Sequence, residues 1–403
     1  MVKKLHRPLV EAVLTNLIQI FNENRKADQV ILGTLKSNPK WGSRDRNFIA
    51  ENTYDIIRWW RLLKYCLVIN ERKFSEEARF WEMIGGWLCI QGYDLPDWPE
   101  FKNLDPVKIL ALYESENKTR KVRESVPDWL DELGEAEVPN WDDEIHALNQ
   151  DSKVYIRVNT LKSNKAEVIS AFEKEEIEIE EVSDVENALR LKKRRKLDHL
   201  KSYRKGHFEI QDAGSQQIVE YLDVKPDSFV IDACAGAGGK SLYLAALMNN
   251  SGKIVSMDVE GRKLKELKSR ASRNGVEIIT ADLIRESTLD KYQGKADYLL
   301  LDVPCSGTGV LRRNPDAKWK LKPSFIDQVR QIQASILDDY TAMLKPGGTL
   351  VYATCSVLRS ENEDQVKKFL SQHVEFELLE EKRVSPAETG FDGFYMAKLK
   401  RVK

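Results

Sequence analysis

Apolar residues recur every three or four positions in the first third of the chain. Residues 9–21 and 48–69 show this spacing most clearly, and it predicts amphipathic helices. Eight of the nine tryptophans lie before residue 142, in the same region. We therefore expect an N-terminal helical domain whose core is rich in aromatic side chains.

A second pattern takes over further along the chain. Residues 154–161 (VYIRVNTL) are rich in β-branched residues and predict a strand. From Asp223 onward, short apolar runs alternate with helical stretches. These runs cover residues 229–233, 253–258, 276–280, 296–302 and 349–354. The alternation predicts an α/β fold with a mostly parallel sheet that is covered by helices on both faces.

The net charge of −1 conceals two segments of opposite sign. Residues 172–186 carry eight acids and one lysine, whereas residues 190–205 carry nine bases and one acid. An acidic run is most often a solvated surface. The five successive bases at 192–196, by contrast, suit contacts to nucleic-acid phosphates. The near-neutral total therefore does not exclude an RNA partner.

The five cysteines are widely spaced and include no CxxC pair. This spacing predicts neither a disulfide framework nor a metal site, and it fits a reducing compartment. Residues 1–10 lack the apolar run of a secretory signal, and no stretch approaches the roughly 18 apolar residues of a membrane helix. We expect a cytoplasmic protein without a membrane role.

A glycine-rich turn, DACAGAGGKS (232–241), follows the first strand of the predicted sheet. A phosphate-binding loop would need a glycine where this chain has Cys234, and the dinucleotide fingerprint GxGxxG is absent. Ligands in such sheets bind beyond the carboxyl ends of the strands. The turn therefore indicates a ligand of a different class.

Three aspartates fall at or just after the ends of three successive predicted strands. Asp258 lies 26 residues after Asp232 and is suited to accept hydrogen bonds from ribose hydroxyls, and Asp282 could accept one from an adenine amino group. Each alone could be a helix cap. Together they predict an adenosine-bearing cofactor whose charged centre is not a pyrophosphate, which S-adenosylmethionine fits.

Two cysteines follow strands that should be neighbours in the sheet. Cys305 lies in PCSGTG after the fourth strand, and Cys355 lies in ATCS after the fifth. Ligands bind at this edge, so both are candidates for chemistry. Cys66 and Cys89 lie in the helical region, where a free cysteine usually packs as a small apolar residue.

The sequence resembles the RNA (cytosine-5) methyltransferases. The matching segments are, in order, DACAGAGGKS, LLLDVPCSGTGVLRRNPDAKW, LKPGGTLVYATCSVLRSENE and FDGFYMA. The resemblance covers about residues 206–403 and implies a Rossmann-like, class I S-adenosylmethionine-dependent methyltransferase domain. The two cysteines separate this family from DNA cytosine methyltransferases, which keep only the one after proline.

The resemblance also extends upstream. Residues 154–162 and 206–215 are similar to the small α+β RNA-binding subdomain of the family. Residues 44–60 are similar to the NusB-like helical domain of the bacterial 16S rRNA methyltransferase B branch. The expected domains are residues 1–125 (helical, NusB-like), 126–215 (small RNA-binding subdomain) and 216–403 (catalytic domain).

The resemblance implies a role for each site residue. Cys355 is the nucleophile that adds to C6 of cytosine. Asp302 holds the N3 and N4 edge of the base, and Cys305 assists removal of the C5 proton and release of Cys355. The implied cofactor-binding residues are Cys234, Ala235, Gly236, Ala237, Gly238, Gly239, Lys240, Asp258, Asp282 and Asp302.

Positive charge is needed near the nucleophile because a free thiol has a pKa of about 8.5. Lys240, Arg312 and Arg313 are candidates to stabilise the thiolate or to hold RNA phosphates. The chain departs from the family at Ala237, where a proline is common, so a less rigid cofactor loop is expected.

A base in a stacked duplex is out of reach, so we expect the target cytosine in a loop or a single strand. Trp319 and Tyr352 could stack on it, although core packing is the simpler interpretation. The helical domain favours 16S rRNA as the partner of a monomeric enzyme. Alternatives are a tRNA substrate, a non-catalytic assembly factor, which would have no need of two reactive thiols, and a nucleotide hydrolase, against which Cys234 and PCSGTG argue.

Overall fold

The three-to-four spacing of the N-terminal third forms helices, as predicted. This computed structural model describes residues 5–68 and 76–403. It divides into two units: a helical unit of residues up to Gln150 together with Leu311–Leu321, and a second unit of Asp151–Val310 with Lys322–Lys403. The helices up to Gln150 are Arg7–Phe21 (α1), Ala27–Ser37 (α2), Ser43–Arg58 (α3), Trp60–Cys66 (α4), Glu76–Ile90 (α5), Pro106–Glu114 (α6), Arg120–Arg123 (α7), Asp128–Glu137 (α8) and Trp141–Leu148 (α9), with a short 3₁₀ helix at Pro99–Phe101.

The predicted helix at 9–21 is confirmed by α1. The predicted helix at 48–69 is instead two helices, α3 and α4, which meet at Trp59, and its last residue, Ile69, lies outside the described residues. Aromatic rings fill the core between these helices, as expected: Phe21 stacks on Trp60 with ring centroids 4.2 Å apart, and Phe80 packs against both.

The second unit begins with a small antiparallel sheet. Its elements are Tyr155–Val158 (β1), Lys165–Lys174 (α10), Ile179–Glu181 (β2), Ala188–Leu191 (β3), Lys201–Arg204 (α11) and Phe208–Ile210 (β4). The strand order is β2-β3-β1-β4. The strand predicted at 154–161 is confirmed only at Tyr155–Val158 (β1), which lies between β3 and β4 and is buried along its length, whereas residues 160–161 form a turn.

A seven-stranded sheet follows and confirms the predicted α/β class. Its strands are Phe229–Asp232 (β5), Lys253–Asp258 (β6), Ile279–Leu283 (β7), Ala296–Asp302 (β8), Leu344–Thr354 (β9), Phe376–Val384 (β10) and Phe394–Arg401 (β11). The helices in this part of the sequence are Ala213–Tyr221 (α12), Gly239–Leu247 (α13), Gly261–Asn274 (α14), Glu286–Tyr292 (α15), Ala317–Lys320 (α16, which belongs to the helical unit), Pro323–Tyr340 (α17), Glu363–Gln372 (α18) and Pro386–Thr389 (α19), and 3₁₀ turns lie at Thr308–Val310, Thr341–Met343 and Arg359–Glu361.

The strand order of this sheet is β10-β11-β9-β8-β5-β6-β7. Strands β9, β8, β5, β6 and β7 are parallel, and β11 pairs antiparallel with both β9 and β10. Apolar side chains fill both faces: Val230 faces one core and its neighbour Ile231 faces the other. Near-continuous apolar strands therefore follow from burial on two sides.

The third strand of the parallel sheet lies three residues later than predicted. The sequence pattern favoured residues 276–280, but β7 runs from Ile279 to Leu283 because it pairs with β6 along its length, up to the pair of Asp258 with Leu283. Asp282 is therefore within the strand and not after it.

Residues Leu311–Leu321, here called the strap, belong to the helical unit although they follow the Cys305 loop in sequence. The indole of Trp319 donates a hydrogen bond to the Ile57 carbonyl at 2.7 Å and packs against the aromatic core of that unit. Core packing was the simpler interpretation of this tryptophan, and it is confirmed.

Lys318 anchors the strap more deeply. Its side chain is 1% exposed, and its Nζ donates to the Arg58 carbonyl at 2.9 Å and to Asn149 Oδ1 at 2.8 Å. Burial and the nearby Arg58 guanidinium lower the pKa of Lys318 well below its usual value. A buried amine is tolerated here because carbonyl oxygens accept its hydrogen bonds.

Candidate active site

A cavity of about 910 Å³ lies beyond the carboxyl ends of the parallel strands of the second unit. Its lining includes Cys234 after β5, Asp258 at the end of β6, Asp302 at the end of β8, and Tyr340 at the end of α17. This is the edge at which doubly wound sheets bind ligands, and the volume is in the range of small-molecule and cofactor sites.

The glycine-rich turn forms one wall of the cavity because its backbone adopts conformations that favour glycine. Gly236 has φ of +56° and Gly238 has φ of +86°. A Cβ at Gly238 would also lie 2.5 Å from Leu267 Cγ. The Gly236 amide donates to Asp258 Oδ2 at 2.8 Å, which ties the turn to the neighbouring strand.

Two arginines that sequence reasoning missed hold carbonyl groups of this turn. Arg270 Nη1 donates to the Ala237 carbonyl at 2.9 Å, and Arg157 Nη1 donates to the Gly239 carbonyl at 2.8 Å. The turn lacks the common proline at Ala237, but Arg270 restrains its carbonyl group from the side. A charged residue inside an apolar strand, as Arg157 is in VYIRV, was the available signal.

Glu209 supports Arg270 from β4. Its carboxylate is 2% exposed and accepts from Arg270 Nη2 at 2.9 Å, from Arg273 Nη2 and from Asn274 Nδ2. Burial raises the pKa of Glu209, but Arg270, Asn274 and Arg273 outweigh it, so the pKa is lowered overall. The pair of Glu209 with Arg270 thus connects the small sheet to the glycine-rich turn.

Arg157 is buried and its guanidinium lies over the Tyr243 ring, 4.6 Å from the centroid. Burial lowers its pKa to about 10. Because an arginine with this pKa still carries its charge at neutral pH, the group remains a strong donor to the turn.

The acids at the strand ends differ in their surroundings. Asp258 accepts from the Gly236 and Glu260 amides, each at 2.8 Å, and its carboxylate lines the cavity. Asp282 accepts from Lys291 Nζ at 2.7 Å and from the Tyr292 hydroxyl at 2.8 Å, and the Lys291 bond chiefly lowers its pKa.

Asp232, at the end of β5, lies below the turn. It is fully buried, and its Oδ2 accepts from the Ser241 hydroxyl at 2.6 Å. Burial raises its pKa to about 7.

Lys240 and Asp302 form an ion pair at the cavity, with Lys240 Nζ 2.6 Å from Asp302 Oδ2. Burial lowers the pKa of Lys240, but the nearby Asp302, Asp232 and Cys355 raise it, and the net direction is upward. Lys240 is therefore a firmly charged ammonium close to the Cys355 thiol.

Cys305 and Cys355 lie side by side because β8 and β9 are neighbours, as the sequence predicted. Their Sγ atoms are 3.1 Å apart. The hydrogen bond with Cys355, then burial, then the charges of Cys355 and Glu361 raise the pKa of the Cys305 thiol well above its usual value. This setting therefore favours the protonated form of Cys305.

The other cysteines lack this setting. Burial raises the pKa of Cys66 and of Cys89 to about 11, and both pack in an apolar cluster of the helical unit, in agreement with the predicted packing role. Burial, Asp232 and Asp302 likewise raise the pKa of Cys234 well above its usual value, so this cavity-lining cysteine stays a thiol.

The structure corrects the expectation for Arg312 and confirms the packing expected of Tyr352. Arg312 was a candidate to stabilise the thiolate or hold phosphates, as was Arg313. The structure places both in the strap, where the Arg312 guanidinium is buried and donates to the Ala147 carbonyl at 3.0 Å. Arg312 thus supports the helical unit. Tyr352 is fully buried and donates to the Glu361 carbonyl at 2.7 Å, which confirms core packing over base stacking.

The acidic and basic runs meet across the β2–β3 hairpin. Arg190 pairs with Glu180, and Lys192 Nζ lies 3.7 Å from a Glu178 carboxylate oxygen. Beyond the hairpin, the side chains of Lys193 and Lys196 are 86% and 81% exposed. The acidic run therefore neutralises the start of the basic run and leaves its later residues facing solvent.

Within residues 5–68 and 76–403, no group of three or more candidate metal ligands is present. Over the same residues, no helix is long and apolar enough to cross a membrane.

Comparison with known families agrees with this geometry. Residues 219–400 match the family described as 16S rRNA methyltransferase RsmB/F, and residues 126–198 match the ferredoxin-like domain of RsmF/B-like methyltransferases. These two matches cover the seven-stranded sheet and most of the small one.

Curated relatives extend the match to most of the chain. A probable ribosomal RNA small subunit methyltransferase B from Bacillus subtilis is 34% identical over 74% of this chain and 69% of its own length. A probable ribosomal RNA small subunit methyltransferase B from Synechocystis sp. is 31% identical over 82% of this chain and 81% of its own length. Among solved structures, PH0851 has a TM-score of 0.83 at 24% identity over 99% of this chain and 100% of that one, which supports the fold. With this identity and coverage, the chain belongs to the RsmB/F family of 16S rRNA methyltransferases, which use S-adenosylmethionine as the methyl donor.

Proposed function

We propose that the protein transfers the methyl group of S-adenosylmethionine to C5 of a cytosine in small-subunit ribosomal RNA through a covalent adduct with Cys355. The observation that carries the proposal is the pair of thiols, 3.1 Å apart, beside the Lys240–Asp302 ion pair at the cavity. A hydrolase or a passive scaffold has no use for this combination.

The cofactor would lie in the cavity along the glycine-rich turn. Asp258 would accept hydrogen bonds from the ribose hydroxyls, and Asp282 would accept one from the adenine amino group. When bound, S-adenosylmethionine supplies an electrophilic methyl group on its sulfonium. The backbone of the turn, held by Arg270 and Arg157, fits a ligand that approaches the main chain closely.

Cytosine C5 is a poor nucleophile, so the Cys355 thiolate first forms a bond to C6. The electron pair of the C5–C6 double bond then becomes available at C5, and charge spreads toward N3. Asp302 accepts a hydrogen bond from the Lys240 ammonium, so it would hold the N3 and N4 edge and pass a proton from Lys240 to N3, which neutralises this charge. C5 would then form its bond to the methyl carbon while the methyl–sulfur bond breaks, so that the neutral thioether S-adenosylhomocysteine leaves and the N3 proton returns through Asp302 to Lys240.

Completion requires loss of the C5 proton. While Cys355 carries a thiolate, Cys305 holds its own proton. Once Cys355 is bonded to carbon, its charge is gone and the pKa of Cys305 falls, so Cys305 can release its proton to water and accept the one from C5. The C5–H electron pair restores the double bond, and Cys355 leaves as a thiolate.

The exposed end of the basic run supports RNA binding. Lys193 and Lys196, in the exposed loop after β3, are suited to phosphate contacts that position a splayed-out base. In this proposal residues 1–125 and 126–215 bind RNA, and residues 216–403 perform the chemistry. The relatives named above are small-subunit enzymes, which favours 16S rRNA over tRNA.

Two cysteine variants test the mechanism on RNA from cells that lack the gene. Cys355→Ala should abolish methyl transfer and form no adduct. Cys305→Ala should accumulate an adduct that survives a denaturing gel, because the release step is blocked. Adduct formation by Cys355→Ala, or its loss in Cys305→Ala, would reverse the assigned roles.

Bisulfite sequencing of total RNA tests the substrate. Cells with and without the gene should differ at a cytosine of 16S rRNA. A difference confined to tRNA, or no difference in ribosomal RNA, would overturn this part of the proposal.

A further inference from the structure

A buried carboxylate lies between the two cysteine loops. Glu361 ends the 3₁₀ turn before α18 and is 0% exposed. Sequence reasoning gave it no role, since LRSENE was noted only as part of a family segment. A carboxylate removed from water costs several kcal/mol unless donors replace the lost hydration, so its partners reveal why it is there.

The carboxylate accepts hydrogen bonds on both oxygens. Oε1 accepts from the Ser306 hydroxyl at 2.5 Å and the Ser356 hydroxyl at 2.6 Å. Oε2 accepts from the Ser306 amide at 2.8 Å and from Gln333 Nε2 at 3.0 Å. Each oxygen thus has two donors, which is the arrangement that makes a buried charge tolerable.

Three of these four donors belong to the residues that follow the two cysteines. Ser306 follows Cys305 and Ser356 follows Cys355, so one carboxylate is bonded to the residue after each cysteine. A backbone bond from the Gly309 amide to the Cys355 carbonyl, 2.9 Å, joins the same two loops. Because both loops extend from separate strands, their mutual distance is set by such cross-links.

We infer that Glu361 is a positioning residue that holds the Cys355 loop against the Cys305 loop and so fixes the Cys355 thiol where it attacks C6. This inference rests on the proposed covalent mechanism, in which one thiol adds at C6 and the other acts at the adjacent C5. Glu361 also contributes its charge to the environment of Cys305, where it raises the pKa of that thiol. Among the described residues, Glu361 makes no hydrogen bond to a residue that lines the cavity or to either thiol.

The test uses the full-length protein and Cys305→Ala as the reference, because that variant should stop at the adduct. The rate of adduct formation at saturating S-adenosylmethionine and RNA is compared with that of Cys305→Ala/Glu361→Ala. Misplacing a reacting group by about 1 Å costs roughly 100-fold, so the double variant should form adduct about 100-fold more slowly.

Glu361→Gln separates geometry from charge. Its amide oxygen can accept from the Ser306 amide and Gln333, and its amide nitrogen can donate to the two serine hydroxyls. We therefore expect Glu361→Gln to restore most of the adduct rate. Asp297→Ala is the matched control: Asp297 lies at the other end of β8 and accepts from the Phe229 amide at 2.6 Å, so its loss should lower thermal stability without slowing the adduct.

If Glu361→Ala does not fold, Ser306→Ala/Ser356→Ala removes the two hydroxyl donors from the same network and should slow adduct formation by a comparable factor. Binding of S-adenosylmethionine, measured by calorimetry, should stay within about twofold in every variant, so that kcat falls while KM does not rise. A merely structural role would change binding and rate together.

The outcomes are distinguishable. An adduct with Cys305→Ala that forms equally fast with Glu361→Ala, or with both serines replaced, overturns the positioning role and leaves the proposed function intact. If Asp297→Ala, added to Cys305→Ala, slows adduct formation as much as Glu361→Ala does, the positioning role is also overturned. No adduct with Cys305→Ala alone overturns the proposed function, and the positioning role falls with it.

Discussion

Arg270→Met should weaken S-adenosylmethionine binding because it removes the hydrogen bond that holds the Ala237 carbonyl of the glycine-rich turn. In the wild type, Arg270 bridges that carbonyl and the buried Glu209 carboxylate, each at 2.9 Å. Arg273→Met is a matched control, since Arg273 pairs with the same carboxylate but makes no hydrogen bond to the turn. The difference between the two variants isolates the bond to Ala237.

The magnitude follows from the contacts. A hydrogen bond from a charged donor contributes about 1.5–3 kcal/mol, and the 20% exposure of the Arg270 side chain argues for the lower end. If the loss of this bond makes binding about 1.4 kcal/mol less favourable because the turn is less ordered, the Kd for S-adenosylmethionine should rise about tenfold. Both variants remove one of the groups that hold Glu209, so each should lose about 1–2 kcal/mol of stability, or roughly 2–8 °C in Tm for a unit of this size.

Isothermal titration calorimetry gives the Kd, and differential scanning calorimetry gives the Tm of the same samples. The reasoning predicts similar Tm losses for both variants and a raised Kd for Arg270→Met only. An unchanged Kd in Arg270→Met, or an equal rise in Arg273→Met, would refute the idea that this bond orders the turn.

Two further predictions concern the charges below and beside the turn. Lys240→Met removes the ammonium that partners Asp302, so kcat for methyl transfer should fall by roughly 100-fold or more; a radiolabelled methyl-transfer assay that retains above about a tenth of the wild-type rate would contradict this role. The pKa of Asp232 is raised from 3.8 to about 7 in the folded protein, so the folded state binds this proton more tightly than the unfolded state, and its contribution to the free energy of unfolding falls as pH rises across that interval. Asp232→Asn should remove this part of the pH dependence of the free energy of unfolding. Urea unfolding of both proteins at pH 5 and pH 8 measures it, and an equal change between the two pH values in wild type and variant would contradict the prediction.

Local patterns were sufficient to predict the parallel strands. Residues 253–258 and 296–302 read as strands and form β6 and β8 with those same bounds, because buried parallel strands need continuous apolar runs. The neighbouring positions of β8 and β9 followed from the expected topology, and they bring Cys305 and Cys355 together. The α/β class and the edge of the sheet at which the cavity lies were therefore predicted from the sequence.

Features that depend on distant pairing were not readable. Val276 and Ile278 give a strand-like alternation around Glu277, yet β7 starts at Ile279 because β6 sets its register. The bonds of Arg270 and Glu361 connect residues that are 33 and 55 positions apart, from Arg270 to Ala237 and from Glu361 to Ser306. Contacts between residues so far apart in the sequence produce no periodic pattern in it. The β10–β11 hairpin at the end of the sheet was also not predicted.

The strap determines the order in which the protein can mature during synthesis. The helical unit needs Lys318 and Trp319 to fill its interior, yet these residues follow Asp151–Val310 of the other unit in the chain. At a translation rate of about 5–20 residues per second, the ribosome needs on the order of 10–30 s to make that intervening stretch. Nascent helices of the first 150 residues must therefore wait, incompletely packed, until most of the second unit has been made.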